Sequence, residues 1–305
     1  MYDQATTNTI LATLANLLAN WGLGGLYRVL PDGSPDPSSW LMRMYGQGIQ
    51  SADSLAVALR ETPEFQQRFK VIFAIEDARR GVGPYARYAG MVDHVPTAAE
   101  VVAWEQSARE VMRRAGVPPR FLEGDGSDLG LTEYMARGFS VAELSTRLIE
   151  VHNRVAMAPP EVRNRFTSWF GADGDGALAA YFLDPSRSEQ SLLHEVQTAE
   201  VGGMASIGGM GISETTAATM AQAGVSGQDA LQTAAALGTA DTLLQGSVAG
   251  DTSTISDDQA MLGASGLDEG AADRLRRRQE ERRAEGGGGA RTSGTITAFG
   301  TSSTS

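Results

Sequence analysis

Residues 59–73 read LRETPEFQQRFKVIF, and no other block constrains the fold as tightly. Thr62 is a residue type that caps helices. Pro63 stands at the first helical position, where its missing N–H costs nothing. Phe65, Phe69, Ile72 and Phe73 then recur at helical spacing and form one wide apolar face, flanked by Arg60 and Arg68. A helix with such a face has to bury it. These four residues are therefore the expected centre of a core, on a helix running to about Arg80. Nothing in the block is reactive chemistry.

Helical spacing and helix caps continue along the chain. Ile10, Leu11, Leu14, Leu17, Leu18 and Trp21 form an amphipathic stripe that Gly22 ends. Turns follow through Pro31-Asp32-Gly33 and Pro35-Asp36-Pro37. Thr97–Glu100 and Ser140–Glu143 are capping boxes. Leu144, Leu148, Val151 and Val155 lie on one helix face. No sustained period-two alternation occurs, so the fold class is all-α. Leu41–Leu59 and Leu131–Leu148 share a helix, a glycine, an apolar residue, a Ser cap and a second helix. This is read as a generic helix–turn–helix phrase in preference to a duplication.

Composition changes near residue 184. From Asp184 to Ala298 there is no aromatic residue, and from Val201 to Gly270 eight acids occur without a Lys or Arg. Caps persist at Ser213, Ser226 and Ser256. Three regions follow: an aromatic-rich helical domain over 1–198, an acidic Ala/Gly-rich helical arm over 199–285, and a flexible Gly/Ser/Thr-rich tail over 286–305. Small side chains bury little area each, at about 25 cal/mol per Å². The arm therefore needs a partner surface, from the N-terminal domain or from another chain, and ordering against other copies or neighbouring proteins is the expectation. Arg274, Arg276, Arg277, Arg278, Arg282 and Arg283, on a charged helix ending the arm, are the candidate assembly residues.

A formal charge of −12 argues against a dedicated nucleic-acid site, which needs clustered cations. The absence of cysteine removes disulfides, thiolate nucleophiles and cysteine-ligated metals. His194-Glu195 lacks the second histidine of a zinc-protease helix, and Asp173-Gly-Asp175 lacks the closing ligands of a calcium loop. No metal, cofactor or catalytic residue is expected. Gly202–Gly211 is not a nucleotide loop. It reads as a tight helix–helix contact or a flexible joint, with a membrane-active segment as the sharper alternative. Glu76 and Asp77 beside Arg79 and Arg80 read as a solvated face.

Taken in order, several segments resemble a group of helical structural proteins from tailed phages of actinobacteria. They are WGL at Trp21, LRETPEFQQRF at Leu59–Phe69, AGVPPRF at Ala115–Phe121 and GFSVAEL at Gly138–Leu144. YFLDPSRS at Tyr181–Ser188 and AQAGVSGQDA at Ala221–Ala230 follow, with ISDDQ, the Arg-rich helix and a GGGG run closing the series. The resemblance implies a non-enzymatic, multi-copy virion component that is ejection-, tail- or neck-associated. Its partners would be itself and portal, neck or tail proteins. Two rivals remain. One is a virion-associated helical enzyme that cuts peptidoglycan, with Glu76 or Glu133 as the acid. The other is a cytoplasmic assembly factor.

Overall fold

The computed structural model describes residues 4–49, 51–123, 128–172, 174–239 and 254–285. Among these residues there are 17 α-helices and no strand. The chain divides into two compact units, Met1–Leu144 and Ser145–Ser305.

The first unit holds α1 (Gln4–Asn20), α2 (Trp40–Gly46), α3 (Ala52–Leu59), α4 (Pro63–Arg68), α5 (Lys70–Arg79), α6 (Ala98–Arg114), α7 (Pro119–Leu122) and α8 (Thr132–Ala136). It ends within α9 (Val141–Ser145). Its core joins Leu11, Leu14, Leu18 and Trp21 of the first segment to Leu55, Leu59, Phe65, Phe69, Ile72 and Ile75. Thr62 caps α4 through Phe65 N–H, with Pro63 in the first turn. The expected single helix to Arg80 is broken at Phe69, where φ is −115° and ψ 38°. The break leaves Phe69 fully buried between the two helices, and Arg68 makes a two-point pair with Glu105 of α6 at 2.8 and 2.7 Å. Phe65, Phe69 and Ile72 are core residues as expected, whereas Phe73 is only half-buried.

One corner recurs: a helix, a glycine at positive φ, an apolar residue, then a Ser or Asp cap opening the next helix. At Gly138 (φ 92°) the Phe139 N–H bonds back to Tyr134 O at 3.0 Å, and Ser140 caps α9. This is the six-to-one bond of a Schellman ending, and its left-handed residue has to be glycine. Space adds to the restriction, since a Cβ on Gly138 would lie 2.4 Å from Met91 Cβ. The same bond joins Ile49 to Met44, Met210 to Ala205, Val225 to Met220 and Leu267 to Leu262. The likeness of Leu41–Leu59 to Leu131–Leu148 is thus a local rule used throughout the chain.

The second unit begins with a π-helical stretch, Thr146–His152, where the 144/148/151/155 spacing predicts ordinary α-helix. It continues with α10 (Asn153–Ala156), α11 (Pro160–Phe170), α12 (Gly174–Phe182), α13 (Glu189–Ile207), α14 (Glu214–Gln222), α15 (Gly227–Gly238), α16 (Asp257–Ala264) and α17 (Glu269–Glu285). Buried Arg147 donates to the carbonyls of Phe182, Asp184 and Arg187, so it grips the loop between α12 and α13.

The expected boundary at 198/199 falls inside α13, which is continuous. Ala199 belongs to a core with Val155, Val162 and Phe166, while Val201 and Ala205 belong to one with Met220, Ala234, Met261 and Leu275. The arm therefore finds its partner surface in its own chain, on α11 and among its own helices. The order expected from other copies or neighbouring proteins is thus supplied within the chain.

Small residues achieve this by close approach. A Cβ on Gly202 would lie 2.1 Å from the Trp169 ring, and one on Gly203 2.5 Å from Val162 Cα and 2.6 Å from its N. Gly203→Ala should gain up to ~1 kcal/mol in helix propensity. It should lose more by overpacking against backbone that cannot rotate away. A net destabilisation of about 1–3 kcal/mol is expected in urea melts of the second unit. A stabilised variant would show that the helices do not approach this closely.

Candidate association surfaces

The expected Arg-rich assembly surface is divided by its own helix. Ala271, Leu275 and Arg278 repeat at i, i+4 and i+7 and face inward, and Arg278 is 2% exposed. That stripe packs α17 on α16 so closely that a Cβ on Gly263 would lie 2.8 Å from the Ala271 carbonyl carbon. Arg274 is half-buried and donates to Gly270 O at 3.4 Å. Arg276 pairs with Asp273 at 3.2 Å, and Arg277 is exposed. Arg282 and Arg283 lie on α17, with side chains outside the described residues. The four arginines with described side chains do not form one basic face. Four of the arm's acids are also committed locally. Asp257 and Asp258 accept the N–H groups of Gly211 and Ser213 at 2.7 and 2.8 Å, and Asp229 and Asp268 close caps.

The carboxylates of the enzyme reading are held by arginines. Glu76 pairs with Arg60, and buried Glu133 pairs with Arg137 one turn along its own helix. Asp77 takes Arg80 at 2.8 Å, while Arg79 donates to the carbonyls of Val92 and Asp93. Glu195 is bound by Tyr181 and Arg187 at 2.8 and 3.0 Å. Burial and that carboxylate push the Tyr181 phenol up. The Asp173-Gly-Asp175 loop lies outside the described residues in its first aspartate and in the side chain of its second. Among the described residues no group of three His, Asp or Glu side chains is placed to hold a metal. No described helix is long and apolar enough to cross a membrane. Gly202, Gly203 and Gly208 are helix–helix contacts, the blander of the two readings of that segment.

A shallow hollow beside α6 shows how its capping box couples to pH. Thr97 N–H and hydroxyl donate to Glu100 Oε2 at 2.7 and 2.9 Å, and His94 Nε2 stands 3.2 Å from the other oxygen. The Thr97 backbone bond first, then its hydroxyl, hold the Glu100 carboxyl below its ordinary value of 4.5. A depressed folded-state value means stability that is present above the unfolded value and lost as pH falls through the folded one. Glu100→Gln should therefore lower stability near neutrality and converge with the wild type in acid, as followed by urea melts at both pH values.

Two surface features were not anticipated from the sequence. Residues 28–36, read as turns, close a minimal hairpin with an isolated antiparallel bridge between Val29 and Pro35. Leu30 N–H bonds Ser34 O at 2.8 Å, Asp36 N–H bonds Arg28 O at 2.9 Å, and Asp32 takes both the N–H and the hydroxyl of Ser34. Val29, at the bridge, is 54% exposed, and Leu30 beside it 40%. Elsewhere in the same unit, one face of α5 opens into a groove of about 510 Å³ walled by Phe73, Pro84, Tyr85 and Leu129. The P-D-G turn signalled the hairpin; the groove is assembled from three separate stretches and left no sequence signal.

Comparison of the chain with protein-family models, with curated proteins and with solved structures finds no match.

Proposed function

We propose that the chain is a non-enzymatic structural component of a tailed-phage virion, present in multiple copies. It joins itself and portal, neck or tail proteins, and it connects head and tail parts or assists genome ejection. One observation carries this reading: the ordered series of segments that resembles the phage structural proteins. In this chain five of those segments are framework. WGL ends α1 at buried Trp21, AGVPPRF is the corner between α6 and α7, and GFSVAEL is the corner between α8 and α9. YFLDPSRS includes the loop gripped by Arg147, and AQAGVSGQDA is the corner between α14 and α15. A likeness carried by corners and core contacts is a likeness of scaffold, and a repeated scaffold is what such a component supplies.

Protein mass spectrometry of purified particles tests the reading. The expected result is the chain present at several copies per portal ring. Recovery from infected cells but never from particles would replace the reading with an assembly factor. A cleared band in a peptidoglycan zymogram, lost with Glu76→Gln or Glu133→Gln, would replace it with an enzyme.

A further inference from the structure

The caps of α6 and α15 close on themselves. In α6 the Thr97 hydroxyl takes Glu100 N–H and the Glu100 carboxylate takes Thr97 N–H, and in α15 Ser226 and Asp229 exchange the same two bonds. The start of α14 departs from this. Ser213 takes the N–H of Thr216 at 3.3 Å, but Thr216 has no carboxylate to return the bond, and Ser213 N–H goes to Asp258 at 2.8 Å. Asp258 belongs to the first turn of α16, 45 positions away. The same oxygen lies 3.1 Å from the Ser213 hydroxyl. Beside it Asp257 accepts Gly211 N–H at 2.7 Å. The capping box of α14 is thus completed by another helix.

That other helix is half of a hairpin with α17. Leu267 N–H bonds Leu262 O at 2.8 Å at its corner, and a Cβ on Gly263 would lie 2.8 Å from the Ala271 carbonyl carbon. The hairpin joins the core of Met210, Ile212, Met220 and Leu237 through Ile255, Ala260, Met261 and Leu275. With so few large side chains in that seam, the two charge-assisted bonds weigh heavily. No Lys or Arg occurs from Val201 to Gly270, so no cation of that stretch competes for the two carboxylates. They stand at the starts of both α14 and α16, where the helix dipoles favour negative charge.

We infer that the α16–α17 hairpin is a latch on the second unit. While it is seated, Asp258 orders the first turn of α14 and Asp257 holds the corner before it. When it lifts, the Ser213 and Gly211 N–H groups lose their acceptors, and the core around Met210 and Ile212 loses Ile255, Met261 and Leu275. The hairpin and the start of α14 therefore open as one cooperative piece, more readily than α13 unfolds. The device lies wholly within the second unit and does not depend on what the chain joins.

Hydrogen exchange of the full chain, read residue by residue by NMR across sub-denaturing urea, tests it. The amides of α16 should share one opening with those of Ser213, Thr216 and Ala217, ahead of the opening that exposes α13. Asp258→Asn removes the charge and keeps an acceptor. It should speed exchange at both α16 and those three amides by about 10-fold, the difference between a charged and a neutral hydrogen bond. Gly263→Ala reads the coupling from a distance, because the atoms nearest its added Cβ belong to Ala271 and Ala272 within the hairpin. It should raise exchange at Ser213, Thr216 and Ala217 along with α16 and leave α13 as it was. A rise at α16 alone in Asp258→Asn would make that aspartate a residue of its own helix and overturn the proposal. Wild-type protection of the three amides in Gly263→Ala, or an opening of α16 that comes only together with α13, overturns it equally.

Discussion

Ending the chain after residue 198 is expected to unfold the second unit while leaving the first intact. The cut severs α13, whose two halves serve different cores. Val196 and Ala199 pack with Val155, Val162 and Phe166, while Val201 and Ala205 pack with Met220, Ala234 and Met261. Removing residues 199–305 strips Gly202 from Trp169 and Gly203 from Val162. It also exposes apolar faces that residues 145–198 cannot cover alone. Ordering costs of roughly 1–2 kcal/mol per residue then exceed what the remaining burial returns. Limited trypsin digestion reads the outcome. Arg147, Arg154, Arg163, Arg165 and Arg187 should become cleavable in residues 1–198 while a fragment ending near residue 144 persists. If 145–198 stays as resistant as in the full chain, the aromatic-rich region is one autonomous domain and the boundary near 198 is right.

That boundary shows where sequence reasoning stops. Caps and periodicity gave the helices because both are local: Ser51, Thr62, Thr97, Ser140, Ser213, Ser226 and Ser256 each cap the helix expected of them. The loss of aromatic residues after position 184 is equally visible, but it does not mark the end of a packing unit. A glycine's contribution depends on what faces it, and Trp169 lies 33 positions from the glycine it covers. The Arg-rich helix misled for a related reason. Arg278 takes the inward position, 2% exposed, that an aliphatic residue would signal, and nothing in its residue type marks it off from its exposed neighbours Arg276 and Arg277. The break at Phe69 and the π-helical stretch before α10 are tertiary adjustments within segments whose spacing is ordinary α-helix. The surface was half legible: proline, aspartate and glycine marked the turn of the hairpin, but nothing local marked the groove beside α5.

Phe69→Ala should be the most damaging single substitution in the first unit. Its ring is wholly buried, 4.7 Å from Phe65 and 6.2 Å edge-on from Trp21, with the Arg68 guanidinium 4.9 Å from its centroid. The residue also sits at the backbone break between α4 and α5, so the surrounding helices cannot close the void without losing the bend that places Ile72 and Ile75. Truncating a buried phenylalanine costs about 3–5 kcal/mol. For a unit of this size each kcal/mol lowers the melting temperature by roughly 2–4 °C, so a fall on the order of 10 °C is expected. Phe73→Ala is the control. That ring is half-buried, wedged between Phe65 and the groove with Arg60 over its face. Its loss should cost about 1 kcal/mol of stability, since only part of its area is withdrawn from water. Paired melts therefore separate the two phenylalanines. If Phe69→Ala melts like the wild type but fails to assemble, the ring is a docking residue and the core has been placed on the wrong face of the helix.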